Sequence, residues 1–162
     1  MSTPASAESL GAFRTLISTV TSKIKGRSLD QRLEDDLNRL FPADGREAQA
    51  LFDACQAAIA AGWMCNREAQ GIRYGRVLKP GDETHGFSVD VVDMETVVGP
   101  HHQHPNGEID LVMPFTPNTQ FDGRGAGWLV YGPGSAHKPT VTHGRALVLY
   151  LLPDGAIELI KG

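Results

Sequence analysis

The chain has 162 residues, 41% of them apolar and 21% charged, with a formal net charge of -4 and a pI near 5.8. That length gives room for one domain with a real core plus a small extension, and the composition is far from that of a disordered chain. The acidic balance argues against nucleic acid as a partner, because such binding relies on clustered Lys and Arg that release counterions from phosphates.

The opening MSTPASAESLGAF has neither a basic segment nor a long apolar one. The longest apolar run, 146–152, falls far short of the roughly 20 residues that cross a bilayer. The expectation is a cytoplasmic protein with no membrane partner, in which Cys55 and Cys65 are free thiols. Cys55 falls in a helical pattern and reads as a small buried apolar residue.

In chain order, Leu10, Phe13, Ile17, Val20 and Ile24 recur at the spacing of one helical stripe, which Gly26 ends. Leu33, Leu37 and Leu40 form a second stripe. The preceding Ser28-Leu29-Asp30-Gln31 fits a capping box, with the hydroxyl at the N-cap and the amide three residues on. Phe41-Pro42-Ala43-Asp44-Gly45 is a break. Asp44 and Glu47 then offer another box before an alanine-rich run over 48–61, closed by Gly62. Residues 1–65 therefore read as a helical segment and 66–162 as a β unit on which it packs.

In that second part, Ile72–Leu78 and Phe87–Val98 are rich in β-branched and aromatic residues and are separated by Lys79-Pro80-Gly81-Asp82-Glu83. Further strands are expected at 108–113, Gly127–Tyr131, 145–152 and 156–160, with Pro153-Asp154-Gly155 as a hairpin turn. Many short strands without intervening helices predict an antiparallel barrel or sandwich, so the fold class is α+β, mainly β.

Five of the six histidines lie between positions 101 and 143. In a strand, His102 and His104 project from one face while His101 points the other way. Pro105-Asn106-Gly107 is turn chemistry that brings Glu108 back as a candidate carboxylate ligand, and a strand with a Pro-Gly turn delivers His137 as a fourth. Three imidazoles and one carboxylate suit one divalent transition metal ion: Fe, Mn, Co, Ni, Cu or Zn. The set contains no thiolate, and a mixed histidine and carboxylate site resembles the open, catalytic kind more than the closed, structural kind.

These residues carry a resemblance. His102-x-His104-x-x-x-Glu108 resembles the first signature of the cupin superfamily, and Gly127-x-x-x-x-x-Pro133-Gly134-x-x-His137 is similar to the second. The resemblance implies a single cupin barrel, a double-sheet jelly roll, with these four residues as metal ligands. The departures concern turns: Phe115 stands where a glycine is usual, Pro-Gly replaces Pro-x-Gly, and Val141 replaces an asparagine.

The whole layout, a helical segment followed by one cupin, is similar to the 4-hydroxylaminobenzoate lyases of bacterial 4-nitrobenzoate breakdown. His101-His102-Gln103-His104-Pro105-Asn106-Gly107-Glu108-Ile109-Asp110 and Leu149-Tyr150-Leu151-Leu152-Pro153-Asp154-Gly155 carry that likeness. It implies a metal-dependent lyase that converts 4-hydroxylaminobenzoate to 3,4-dihydroxybenzoate (protocatechuate) and ammonia. An Fe(II)-dependent cupin dioxygenase and a non-enzymatic ligand-binding cupin are the alternatives.

For such chemistry, Glu108, His101 and His143 are candidates for proton transfer. Arg124, Lys138 and Arg145 are candidates to hold the carboxylate of an aromatic acid, with Arg73 and Arg76 as further choices. Trp128 and Tyr131 read as core or pocket wall. The apolar helical stripes must be buried against the barrel or in a homodimer.

Overall fold

The computed structural model describes residues 3–160, with side chains from Ser9 onward. The first apolar stripe falls within α1 (Thr3–Ile24), which buries Phe13, Ile17, Val20 and Ile24. Helix α2 (Gln31–Leu40) buries Leu33 and Leu37, and α3 (Arg46–Ala61) buries Ala48, Leu51, Cys55 and Ala58. Gly62 ends α3 in the left-handed region at φ 88, where its N–H meets the carbonyls of Ala58 and Ile59.

The caps of α2 and α3 differ from the expectation. Asp30, not Ser28, caps α2, its carboxylate accepting from the Leu33 N–H at 3.0 Å. The Gln31 amide donates forward to Glu34 and Asp35, both at 2.9 Å. Both residue types cap well, and tertiary packing decides: Leu29 lies against the backbone turn at Gly107, outside the helix. For α3 the cap is Gly45, with no side-chain bond. Its N–H donates to the Pro42 carbonyl at 2.8 Å, so the proline turn takes the position intended for Asp44.

Ten strands follow among the described residues: β1 (Arg67–Ala69), β2 (Ile72–Leu78), β3 (Phe87–Val98), β4 (His102–His104) and β5 (Glu108–Pro114), then β6 (Gln120–Phe121), β7 (Gly127–Tyr131), β8 (Ser135–His137), β9 (Thr140–Pro153) and β10 (Glu158–Leu159). A seven-stranded antiparallel sheet runs β1-β2-β3-β9-β5-β7, with β6 paired to β9, and a three-stranded sheet runs β10-β4-β8. Strand β9 starts five residues before the expected 145, because the chain passes His143-Gly144 through a register shift in its pairing with β3 and does not stop there.

Strand alternation gives the large sheet two apolar faces. Val89, Val91, Ile109, Leu111, Leu147, Leu149 and Leu151 join the buried residues of all three helices in one cluster. Val92, Met94, Val112, Leu129, Val148, Tyr150 and Leu152 form a second cluster on the inner side, toward the small sheet. The strand at the end of the sheet order, β7, has its free edge closed by α2. Glu34 accepts from the Val130 N–H at 2.9 Å, while Asn38 accepts from the Trp128 N–H at 2.9 Å and donates to its carbonyl at 3.0 Å. Trp128 itself is core, its indole N–H bonded to the Phe41 carbonyl at 2.9 Å. Phe115 meets Phe52 of α3 edge-on, with ring centroids 5.1 Å apart, which gives a packing reason for a large residue where cupins usually carry glycine. Among the described residues no helix is long and apolar enough to cross a membrane.

Candidate metal centre

Strand β4 is His102-Gln103-His104, and its alternation buries both imidazoles on one face while Gln103 turns outward. Gly107 returns the chain at φ +89, and a Cβ there would lie 2.7 Å from both the Leu29 side chain and the Tyr131 carbonyl oxygen, so the turn admits glycine alone. Glu108 then opens β5, fully buried. His137 ends β8, directly opposite His102 in the strand pairing.

The four side chains converge. Glu108 Oε1 lies 3.0 Å from His104 Nε2 and 3.4 Å from His102 Nε2, and Oε2 lies 3.5 Å from His137 Nε2. The Nε2 atoms of His102 and His137 are 3.0 Å apart. One donor atom from each residue falls within 4.8 Å of all the others.

The remaining ring nitrogens explain why Nε2 faces inward. His102 Nδ1 lies 3.3 Å from the Pro100 carbonyl, which can only accept. His137 Nδ1 lies 2.6 Å from the Asp122 carboxylate, which Tyr131 also meets through its hydroxyl at 2.5 Å. Ser135 Oγ donates to the Gly132 carbonyl at 2.6 Å and so accepts from His104 Nδ1 at 3.0 Å. With each Nδ1 protonated, three Nε2 lone pairs and a carboxylate point at one another. His104 Nε2 and both Glu108 oxygens are buried without a hydrogen-bond partner, an arrangement that costs about 1–3 kcal/mol per group unless a cation lies among them. The donor set and its orphaned lone pairs fit a divalent ion.

Electrostatics agree. Burial pushes the Glu108 carboxyl up, but where no ion is bound and the imidazole Nε2 atoms carry protons instead, their hydrogen bonds to the carboxylate outweigh it and hold the group well below the usual carboxylate range. Burial pulls the His137 imidazole down, yet Asp122 and Glu108 together raise it to about 9, so without an ion a proton occupies this point and a metal must displace it. Asp110, one alternation along from Glu108, is fully buried with both oxygens unpartnered; burial and then the Glu108 charge push its carboxyl well above the usual range.

Asp122 orients His137, so Asp122→Asn turns an amide N–H toward Nδ1, favours the tautomer that blocks Nε2, and lowers metal affinity by about 10–100-fold. Isothermal titration with the metal checks this, and unchanged affinity would remove Asp122 from the site.

The other candidates lie elsewhere. Arg124 reaches Glu34 at 3.0 Å on the helical side. Arg145 faces the helices too, two residues before Leu147, with Nε and Nη2 each on Asp93 at 2.9 Å and its guanidinium 4.2 Å over Phe115. Lys138 is exposed beyond His137, His101 alternates away from His102, and His143 is exposed in the left-handed region at φ 60. None of these five is in the cluster or lines the cavity beside it. That cavity, of about 690 Å³, has His102 and Tyr150 in its buried wall and Ile72, Val92, Met94 and Ile157 as apolar lining. Of the cations considered from sequence, it contains Arg76. Strand alternation could have pointed to Asp110, which shares a face with Glu108; nothing local marks Asp122, which reads as part of a Phe-Asp-Gly turn.

Two facing antiparallel sheets enclosing a three-histidine, one-glutamate cluster able to hold a metal ion define a cupin. Within that class the chain belongs to the 4-hydroxylaminobenzoate lyase family, whose model, described as PnbB: 4-hydroxylaminobenzoate lyase, matches residues 15–159. It is 31% identical over 154 residues to the 4-hydroxylaminobenzoate lyase of Pseudomonas putida, covering 85% of this chain and 88% of the relative. It is 31% identical over 146 residues to the enzyme of the same name from Nocardioides sp. (strain LMS-CY), covering 85% and 86%. Similar solved structures include an RmlC-like cupin protein from Ralstonia eutropha, at 11% identity over 57% of this chain and 62% of that one with a TM-score of 0.43. A structure of the DMSP lyases RdDddP and RnDddQII is 14% identical over 96% and 100% of the two chains, with a TM-score of 0.47.

Proposed function

We propose that the protein converts 4-hydroxylaminobenzoate and water to 3,4-dihydroxybenzoate and ammonia, with a divalent metal ion held by His102, His104, Glu108 and His137. The observation that carries this reading is the cavity beside the cluster, in a chain of this family: a largely apolar slot whose wall includes His102 of the cluster suits a flat aromatic acid bearing a polar substituent.

Substrate and water together contain every atom of both products. The N–O, C–N and one ring C–H bond break, two C–O bonds form on adjacent ring carbons, the displaced ring hydrogen leaves as a proton, and the nitrogen is reduced as the ring is oxidised, so no outside oxidant is required. When bound, the ion supplies Lewis-acid polarisation of the hydroxylamine oxygen and makes hydroxide available near neutral pH. The chain supplies the rest. Ile72, Val92, Met94 and Ile157 take the ring and exclude water from its faces. Tyr150, whose hydroxyl burial and the neighbouring carboxylates keep protonated, offers a hydrogen-bond donor beside His102. Glu108 keeps its charge among the imidazoles.

The test is turnover with metal removed and restored. Protein stripped by a chelator should release no ammonia from 4-hydroxylaminobenzoate, and reloading to about one ion per chain should restore release. Full activity in metal-free protein would overturn the metal-dependent form of the reading.

A further inference from the structure

The proposed substrate carries a carboxylate, and the cavity wall points to where it goes. Asn66, and Arg67, Ala69 and Gln70 of the β1–β2 hairpin that follows it, form one side of the cavity. The hairpin is a two-residue turn with Gln70 and Gly71 both at positive φ, 54 and 80, so it is a stiff support and not a floppy loop. Register fixes which side chains face in. Arg67 lies opposite Tyr74, and Tyr74 opposite Val92, a row whose members all line the cavity, whereas Glu68 falls on the alternate face.

Two arginines line this space, and they are not equivalent. Arg76 is committed: its Nε and Nη2 meet the Asp90 carboxylate at 2.8 and 3.3 Å, and Nη2 also donates to the Gly155 carbonyl at 3.1 Å. Among the described residues Asp90 is the one acid in the lining, and its charge is answered by Arg76. Arg67 makes no ion pair or side-chain hydrogen bond among the described residues, so among them it is the cavity-lining cation whose charge is unanswered and whose planar donor fork is open. A guanidinium in that state matches a carboxylate in two parallel hydrogen bonds.

We propose that Arg67 is the carboxylate anchor of the substrate cavity, selecting aromatic acids over neutral aromatics of the same shape, with Arg76 and Asp90 as a fixed pair that shapes the wall without binding substrate. The substrate class rests on the lyase reading, but the anchor itself is tested by binding alone.

The experiment is calorimetric titration of metal-loaded wild-type and Arg67→Met protein with 4-hydroxybenzoate and its neutral isostere 4-hydroxybenzamide. A charge-assisted bidentate pair predicts that wild type prefers the acid by about tenfold or more, and that Arg67→Met loses this preference while binding the amide as before. Arg67→Lys should keep part of it. The side chain is exposed, so the melting temperature of the methionine variant should match wild type and report that the fold is intact. Wild type without preference for the acid, or Arg67→Met with the wild-type preference, would overturn the anchor; the second result is also what a carboxylate bound directly at the metal would give. An Arg67-dependent preference in a protein that does not turn over 4-hydroxylaminobenzoate would keep the anchor and reject the lyase reading.

Discussion

The His102→Ala/His104→Ala double variant should purify without metal, whereas wild type carries about one divalent ion per chain by elemental analysis. The two imidazoles sit on one face of a three-residue strand, and Glu108 Oε1 lies within 3.4 Å of both Nε2 atoms. Removing them leaves one histidine and one carboxylate, and no other Cys, His, Asp or Glu among the described residues belongs to the cluster. The loss should far exceed the roughly 10–100-fold typical of an outer partner such as Asp122. The variant should still fold, because it deletes ring nitrogens whose lone pairs face other acceptors. Stoichiometric metal in the double variant would sink the site assignment.

Deleting residues 1–62 should turn the protein into an aggregate. Helices α1, α2 and α3 share a buried cluster with Val89, Ile109, Leu111, Leu147, Leu149 and Leu151, each 0–1% exposed. Stripping the helices bares a contiguous apolar face, at about 1.5–3 kcal/mol per side chain returned to water. It also removes Glu34 and Asn38 from the free edge of β7, leaving the Trp128 and Val130 amides open to pairing with another chain. Size-exclusion chromatography reads the outcome. A monodisperse, metal-loaded truncated barrel would show that the helical segment is a separable addition.

The four converging side chains were legible in the sequence because their geometry is local: a two-residue alternation, a glycine turn and a strand-ending histidine. The helical stripes were legible for the same reason, since Phe13, Ile17, Val20 and Ile24 recur at a period that the helix itself enforces. Facing and partnership across the sheet were not. Arg145 was a candidate for the substrate carboxylate, but it shares strand parity with Leu147, and the pairing with Asp93 on that face places the guanidinium under the helices. Arg124 is drawn to Glu34, 90 residues earlier, a contact that no local pattern encodes. Asp122 and Arg67 were missed because one sits in an ordinary turn and the other on a strand of three residues. The N-cap of α2 was misplaced by two residues because Ser28 and Asp30 satisfy the same local rule, and packing of Leu29 decided between them.

The proposed lyase reaction needs water and no oxidant, so turnover of 4-hydroxylaminobenzoate by metal-loaded protein under strict exclusion of oxygen tests it. One ammonia and one 3,4-dihydroxybenzoate should form per substrate consumed, at the same rate as in air. Ammonia that appears only when oxygen is admitted, or oxygen consumed in step with substrate, would contradict it and place the site among the oxygen-using cupins.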